Sequence, residues 1–224
     1  MTTAAIIVAA GSSRRMGFNK LLAPLDGEPV IVHTVRQFER CPCVDYIVVV
    51  GGDDVEGAIK SAGFSKLNAV VAGGAERHFS VAAGLAVLPA NTELVAVHDG
   101  GRPLIEVEQI SKCISAAKSL GAVSCARRAT ETMKECDESG QIIGSISRES
   151  AWVMETPQVF QRDLLEKASS KVLADGKLVT DEVSALQHIQ APIWVVENAS
   201  ANPKITFPGD LALAESLMAN RKHS

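Results

Sequence analysis

The fold of this 224-residue chain is decided by the stretch TAAIIVAAGSSRRMGFNK, which runs from Thr3 to Lys20. Residues 3–10 are an apolar, β-branched run bounded by glycine, a pattern that indicates a buried strand. The loop that follows consists of small residues and contains Arg14, Arg15 and Lys20. Small residues let backbone N–H groups approach an anion, and cations add attraction and direct hydrogen bonds. The stretch therefore favours a phosphate-binding loop after a core strand.

Two familiar phosphate-binding signatures do not fit this loop. A P-loop needs Gly-Lys followed by Ser or Thr, and a dinucleotide fingerprint needs G-x-G-x-x-G. Here Ser13 and Met16 stand where the second and third glycines of that fingerprint belong. An ordinary strand-to-helix turn beside a solvated basic patch is the alternative interpretation, and the loop alone leaves both open.

The composition is that of an ordinary globular protein, with 46% hydrophobic and 21% charged residues. This length suits one α/β domain, residues 1–224, with a small protruding element. A net charge of −4 argues against a broad nucleic-acid surface. Five cysteines without metal-like spacing favour a reducing compartment. The start shows neither a basic leader nor a long apolar segment, so we expect a cytoplasmic protein with no membrane partner.

Apolar strands alternate with amphipathic helices along the chain. The predicted strands after the first are Tyr46–Val50, Leu67–Val71, Leu94–His98, Ala122–Ala126 and Ile193–Glu197. The predicted helices are Val30–Glu39, Asp54–Ala62, Ser80–Leu88 with Ser80 as N-cap, Glu108–Leu120, Arg162–Asp175, one starting at Thr180–Glu182, and Pro208–Asn220. Repeated βα units predict a Rossmann-like, mostly parallel sheet with helices on both faces. Ligands of such sheets bind beyond the carboxyl ends of strands, where Gly11, Gly73 and Asp99 are expected.

Residues 129–147 depart from this alternation. Thr132–Cys136 and Gln141–Ile146 flank a turn-like segment at 137–140, which predicts a β-hairpin. An isolated hairpin is marginally stable in water, so this β-arm must pack on something. We favour a homodimer in which the arm reaches the partner subunit. A hairpin folded over its own domain is the alternative.

Seven short motifs follow one another in an order seen in one family. They are Ala9-Ala10-Gly11 with Arg14-Arg15-Met16 and Lys20, Gly73-Gly74-Ala75-Glu76-Arg77 with Ser80-Val81, His98-Asp99-Gly100-Gly101-Arg102-Pro103, Thr132-Met133-Lys134, Thr156-Pro157-Gln158, Thr180-Asp181-Glu182 and Asn202-Pro203-Lys204-Ile205-Thr206. The chain thereby resembles the 2-C-methyl-D-erythritol 4-phosphate cytidylyltransferases of the non-mevalonate isoprenoid pathway. The resemblance covers nearly the whole chain and implies a fold of the nucleotide-diphospho-sugar transferase type. It also implies transfer of CMP from CTP to the polyol phosphate, with release of pyrophosphate.

This reaction needs charge more than a nucleophilic side chain. A phosphate monoester has its second pKa near 6, so it is mostly dianionic at pH 7 and can attack the α-phosphorus itself. The enzyme must gather several phosphates and stabilise charge at that phosphorus. By resemblance, Arg15, Lys20 and Lys204 are the catalytic cations. Asp99 is implied as the residue that places Mg²⁺ or another divalent cation, and a helix or turn cap is its alternative role.

The resemblance also implies two binding sets. CTP would contact Ala9, Ala10, Gly11, Gly74, Ser80 and Asp99. The polyol phosphate would lie between subunits, held by Thr132 and Arg148 of one chain and by Arg102, Thr156 and Thr180 of the other. The alternative for the serine and the threonines is a local cap or turn hydrogen bond.

The chain departs from the family at several places, among them the first loop, the segment after Asp99 and Ser150-Ala151-Trp152. Val8 stands where the family usually has proline, and the residues that flank Lys20 differ from the usual ones. Gly100 and Gly101 replace two alanines, and we expect the missing methyl groups to loosen the site beside Asp99. The charged set is complete, so we favour an active enzyme.

Three alternatives to this function remain open. A related cytidylyltransferase for another polyol phosphate, such as ribitol 5-phosphate, would carry a similar phosphate clamp. An inactive nucleotide-binding paralogue would keep the fold, and the altered first loop speaks for it. A dinucleotide-binding oxidoreductase is disfavoured because the glycine fingerprint fails.

Overall fold

Apolar runs along the chain assemble into a seven-stranded sheet, in which neighbouring strands follow the order Trp194–Glu197, Ala122–Arg128, Trp152–Gln161, Leu94–Asp99, Thr3–Val8, Tyr46–Val50 and Leu67–Val71. The computed structural model describes residues 1–11 and 16–222. In these residues the strands are β1 (Thr3–Val8), β2 (Pro24–Leu25), β3 (Glu28–Pro29), β4 (Tyr46–Val50), β5 (Leu67–Val71), β6 (Leu94–Asp99), β7 (Ala122–Arg128), β8 (Met133–Cys136), β9 (Ile142–Ile146), β10 (Trp152–Gln161) and β11 (Trp194–Glu197). The helices are α1 (Val30–Arg40), α2 (Asp53–Ala62), α3 (Arg77–Ala86), α4 (Val107–Leu120), α5 (Arg162–Ala174), α6 (Glu182–His188) and α7 (Pro208–Lys222).

The first strand lies inside the sheet, as its apolar sequence predicts. β1 pairs in parallel with β4 on one side and with β6 on the other. Val8 is in register with Val50 and with Asp99, so three strands end side by side. The predicted α/β sheet is confirmed, and its carboxyl-terminal edge brings the loops after β1, β4 and β6 together.

Alternate residues of β1 pack against opposite layers of helices. Ala5 and Ile7 lie in a core with side chains of α1, α2, α4 and α7. Ala4 and Ile6 face the other way, into a core with α3, α5 and α6. All four side chains are fully buried, because a strand presents successive residues to opposite faces of its sheet. The helices therefore cover both faces, as the βα alternation predicts.

One strand in the middle of the sheet was not predicted. β10 lies between β6 and β7 and is antiparallel to both, so the sheet is mixed. Pro157 lies inside this strand, and a proline normally argues against a central strand because it lacks an N–H group. The pairing with β7 shifts register between Met154 and Gln158, and Pro157 lies within this irregular stretch. Its missing N–H group therefore interrupts no regular hydrogen bond of that ladder.

Two local details also differ from the prediction. Helix α3 begins at Arg77, so Ser80 is not its N-cap. The Ser80 hydroxyl instead donates to the Glu76 carbonyl at 3.4 Å, within the first turn. The short hairpin of β2 and β3 was missed, although Asp26-Gly27 between them is a typical hairpin turn, with φ of 49° and 83°.

The predicted arm is a two-stranded antiparallel sheet of β8 and β9, separate from the main sheet. The Asp137 carboxylate closes its turn by accepting the backbone N–H groups of Ser139 at 2.9 Å and Gln141 at 3.0 Å. Ile142 and Ile143 are 62% and 59% exposed, an unusual density of exposed apolar surface on a short strand. Across the described residues, no helix has the length and apolar character to cross a membrane.

Candidate active site

Three cations converge on Asp99, whose side chain is 9% exposed at the end of β6. Its Oδ1 lies 2.6 Å from Arg77 Nη1 at the start of α3. Its Oδ2 lies 2.9 Å from Lys204 Nζ and 3.3 Å from Arg102 Nε. Burial acts to raise the pKa of Asp99, but the three cations, led by Arg77, outweigh burial and hold it well below its ordinary value. The carboxylate is therefore ionised.

Arg77 joins Asp99 to a second buried carboxylate. Its Nη2 donates to Glu182 Oε2 at 2.8 Å. Glu182 begins α6, and the side chain of Gln158 on β10 accepts its backbone N–H at 3.2 Å. Burial raises the pKa of Glu182, and the nearby Arg77 charge opposes that rise. The Asp99-Arg77-Glu182 bridge is a functional feature that the sequence analysis missed, although both new residues lie in motifs that it quoted.

A chain of hydrogen bonds through Thr156 and His98 holds the backbone of Asp99 in place. The Asp99 backbone N–H donates to Thr156 Oγ1 at 3.1 Å, which lies 2.9 Å from His98 Nδ1. The His98 Nε2 lies 3.2 Å from the Arg102 carbonyl. Burial lowers the pKa of His98 to about 3, so the ring is neutral. The Thr156 hydroxyl then donates to Nδ1, and the Nε2–H group donates to the Arg102 carbonyl.

The two predicted catalytic lysines meet beside the same loop, although they come from opposite ends of the chain. Lys20 Nζ donates to the Ile205 carbonyl at 2.6 Å. The Ile205 backbone N–H in turn donates to the Gly101 carbonyl at 2.8 Å. Lys204 precedes Ile205 and reaches Asp99, so both ammonium groups approach the loop after β6. Arg15, the third predicted catalytic cation, lies outside the described residues.

The two glycines of that loop are not equivalent. A Cβ on Gly100 would come within 2.9 Å of Ile31 Cδ1 and 3.1 Å of the Val8 carbonyl. On Gly101 the nearest atom, the Ile205 carbonyl oxygen, would be 3.4 Å away, an ordinary contact. The expectation of a looser site is therefore wrong at Gly100, because Ile31 occupies the space that a methyl group would take.

Several predicted CTP contacts adjoin one another at the ends of β1 and β5. A Cβ on Gly73 would lie only 2.1 Å from the Ala10 Cβ, so these two loops touch closely. The Gly74 N–H donates to Ser80 Oγ at 3.2 Å, and the Ala9 N–H donates to a carbonyl of β4 at 2.7 Å. Gly11 is exposed beside them. The close packing explains why small residues stand here.

A cavity of about 210 Å³ opens beside Asp99. It is lined by Arg77, Asp99, Arg102, Met154, Glu155, Thr156, Gln158, Thr180, Asp181 and Lys204. Three of the residues predicted to bind the polyol phosphate, Arg102, Thr156 and Thr180, are among them. The other two are exposed and do not line the cavity: Thr132 lies in the arm and Arg148 directly follows it. One chain therefore brings together only part of the predicted substrate set.

The donor set at this cavity suits a metal shared with phosphates. Among the described residues no group of three or more His, Cys, Asp or Glu side chains could enclose a metal ion. Mg²⁺ keeps several waters and typically binds through one or two carboxylates together with substrate phosphates. Asp99 supplies one such carboxylate inside the cavity, so it fits Mg²⁺ only when phosphate oxygens complete the site.

Comparisons with known proteins agree with this arrangement. The family model described as IspD, 2-C-methyl-D-erythritol 4-phosphate cytidylyltransferase, matches residues 3–220. The enzyme of that name from Symbiobacterium thermophilum is 41% identical over 216 residues, which are 95% of this chain and 91% of that protein. The one from Alkaliphilus oremlandii is 36% identical over 227 residues, covering 98% and 96%.

Solved structures show the same similarity. The crystal structure of 4-diphosphocytidyl-2C-methyl-D-erythritol synthase from Anaerococcus prevotii matches with a TM-score of 0.88 at 29% identity, covering 97% of this chain and 96% of that one. The Thermus thermophilus enzyme matches with a TM-score of 0.82 at 27% identity, covering 98% and 100%. This chain therefore belongs to the 2-C-methyl-D-erythritol 4-phosphate cytidylyltransferase family and is a CTP-dependent cytidylyltransferase of the non-mevalonate isoprenoid pathway.

Proposed function

We propose that the cavity around Asp99 transfers CMP from CTP to 2-C-methyl-D-erythritol 4-phosphate by in-line attack. A substrate phosphate oxygen forms a bond to the α-phosphorus of CTP. The bond from that phosphorus to the oxygen bridging to the β-phosphate breaks, and its electron pair leaves with pyrophosphate. The observation that carries this proposal is the convergence of Arg77, Arg102 and Lys204 on one carboxylate at the carboxyl end of β6.

The charges of the cavity suit phosphate ligands. Arg77, Arg102 and Lys204 all lie within 3.3 Å of the single carboxylate of Asp99. The other two carboxylates that line the cavity, Asp181 and Glu155, bind other side chains. Phosphate groups that enter compete with Asp99 for these cations. Lys204 is 42% exposed and therefore the most able to turn from Asp99 towards an α-phosphate. Preorganised cations at the reacting phosphorus are the main source of catalysis in phosphoryl and nucleotidyl transfer.

The roles of the loop residues follow from their placement. Lys20 lies where it can contact the same phosphates as Lys204, because both flank the Gly101-Ile205 contact. Arg15 completes the proposed catalytic set by resemblance alone. Backbone groups at Ala9, Ala10, Gly11 and Gly74, with Ser80, form the proposed cytidine contacts; their close packing supports this assignment.

We infer that Asp99 holds Mg²⁺, or waters bound to it, together with phosphate oxygens of CTP. When bound, this ion neutralises part of the charge that develops on the phosphates. The chain's own part is to keep Asp99 ionised, which the low pKa of this carboxyl ensures across the physiological range.

The substrate site is completed by a second subunit in this proposal. Thr132 and Arg148, in and next to the arm of a partner subunit, would join Arg102, Thr156 and Thr180 of the body. Residues 129–147 thus form a dimerisation arm on a single domain of residues 1–224. The exposed isoleucines of β9 support this, since burying one isoleucine side chain stabilises an interface by about 1.5–3 kcal/mol. An arginine fork also matches a terminal phosphate better than lysine does.

We also propose a cytoplasmic location. All five cysteines are free thiols, and three of them, Cys41, Cys113 and Cys125, are buried without a disulfide partner. Reduced cysteines persist in the cytosol, where glutathione and thioredoxin act.

The test is pyrophosphate release by the purified chain with CTP and Mg²⁺. We expect turnover with 2-C-methyl-D-erythritol 4-phosphate, little with ribitol 5-phosphate, and a loss of at least about 100-fold in kcat for Lys204→Ala. Lys171→Ala is the matched control, because Lys171 is an exposed lysine of α5 paired with Asp175. Preference for ribitol 5-phosphate would support the related cytidylyltransferase instead. CTP binding without turnover of either substrate would contradict the active-enzyme proposal.

A further inference from the structure

The carboxylate of Glu155 also lines the cavity. Its side chain is 4% exposed on β10, next to Thr156. Glu155 Oε2 accepts the side-chain N–H groups of Asn198 at 2.9 Å and Asn202 at 3.3 Å. Its Oε1 lies 3.6 Å from Arg127 Nε. The carboxylate thus binds two asparagines from one segment of the chain.

That segment carries Lys204. Residues 198–207 lie between β11 and α7 and contain no helix or strand of their own. Asn202 also donates its side-chain N–H to the Thr156 carbonyl at 3.0 Å, and its own carbonyl accepts Arg102 Nη1 at 2.8 Å. Two residues later, Lys204 Nζ reaches Asp99 at 2.9 Å. Asn202 therefore connects Glu155 directly to Arg102 and, through two residues of backbone, to Lys204.

The hydrogen bonds of Glu155 help to fix the position of residues 198–207. Backbone hydrogen bonds of Asn198 and Ile205 hold this segment at two points, and side-chain contacts hold it between them. Glu155 accepts from both of the buried asparagines of the segment. Removing the carboxylate would take the partner of the buried Asn198 amide and leave Asn202 with the Thr156 carbonyl alone, at a cost that favours movement of the segment. A displacement of about 1 Å at a reacting group can reduce a rate about 100-fold.

We propose that Glu155 is a positioning residue, which sets the place of Lys204 through Asn198 and Asn202. This inference rests on the catalytic role proposed for Lys204. Glu155 does not take part in the chemistry. Its function is to hold the segment so that the Lys204 ammonium group lies over the α-phosphate when CTP binds.

The experiment compares Glu155→Ala and Glu155→Gln in two backgrounds, the unmodified chain and Lys204→Ala, with kcat and KM for CTP measured separately. We expect Glu155→Ala to lower kcat about 10- to 100-fold, with KM for CTP changed less than about 3-fold, because the lost interaction acts in the transition state. Glu155→Gln should retain most of the activity, since its amide oxygen can accept the same two N–H groups. In the Lys204→Ala background, Glu155→Ala should cost less than about 3-fold, because coupled residues are not additive.

The controls separate positioning from folding. Glu166→Ala removes an exposed carboxylate, paired with Arg162 on α5, and should leave kcat unchanged. If Glu155→Ala does not fold, Asn202→Ala breaks the same link from the segment side, and the same loss of kcat is expected. An equal loss from Glu155→Ala in both backgrounds, or activity within 2-fold of the unmodified chain, would overturn the inference. Full activity of Lys204→Ala would instead overturn the proposed role of Lys204.

Discussion

Replacing Asp99 by asparagine should destabilise the ligand-free protein markedly. The substitution keeps the shape of the side chain and removes the charge that three cations share. Removing one partner of a buried ion pair typically costs about 3–5 kcal/mol. Arg77 keeps Glu182, and the 42% exposed Lys204 can turn to water, so we expect the lower end of this range. About 3 kcal/mol corresponds to a fall in Tm of about 6–12 °C for a domain of this size.

Thermal unfolding with and without pyrophosphate tests this reasoning. In Asp99→Asn, pyrophosphate no longer competes with the Asp99 carboxylate and should raise Tm more than it does in the unmodified chain. Glu215→Gln is the matched control, because Glu215 is an exposed carboxylate of α7 and its loss should change stability by less than about 0.5 kcal/mol. A Tm change below about 2 °C for Asp99→Asn, or equal stabilisation of both proteins by pyrophosphate, would refute the account.

Three further predictions follow from the geometry. Gly100→Ala should lower the free energy of unfolding in urea by about 1–3 kcal/mol, because its Cβ would lie 2.9 Å from a buried side chain. Gly101→Ala should lower it by under about 0.5 kcal/mol, and equal losses in the two variants would contradict the packing argument. His98 has a pKa of about 3 in the folded chain and about 6.5 when unfolded, so the unfolded state binds the proton first. The free energy of unfolding should therefore decrease by about 1.4 kcal/mol for each unit that the pH falls from about 6.5 to about 3, because of this group. His98→Gln should remove this part of the pH dependence, and an unchanged pH dependence in that variant would contradict the prediction. Ile142→Ser should raise the dimer dissociation constant about 10- to 100-fold in sedimentation equilibrium. Leu178→Ser, which changes another exposed side chain, should leave that constant unchanged. An unmodified chain that is monomeric at micromolar concentration would disprove the dimer.

Local patterns in the sequence were sufficient for most elements. The bounds of β4 and β5 agree with the prediction residue by residue, because both end in consecutive valines and are followed within two residues by glycine. The arm hairpin was found from its turn residues at 137–140. In each case the signal lies within a few residues of the structure that it specifies.

The missed strand shows where local patterns fail. Trp152–Gln161 contains Pro157, and its polar residues at 155, 156 and 158 do not look like those of a buried strand. The structure buries them all the same, because Glu155, Thr156 and Gln158 each find hydrogen-bond partners from distant elements. A pattern of hydrophobicity cannot record a partner that is far away in the chain.

By itself, the sequence determined the α/β class, the strand that precedes the first loop, the hairpin arm and, through the order of its motifs, the family. Tertiary structure alone decided which charges meet. Arg77 and Glu182 are 105 residues apart, and Lys20 and Ile205 are 185 apart. Glu182 is held by Gln158 on β10, and Ile205 by Gly101 directly after β6, and the sheet places these two strands side by side. Periodicity is a property of neighbouring residues. An ion pair in this site, by contrast, forms only when the folded sheet brings its two residues together.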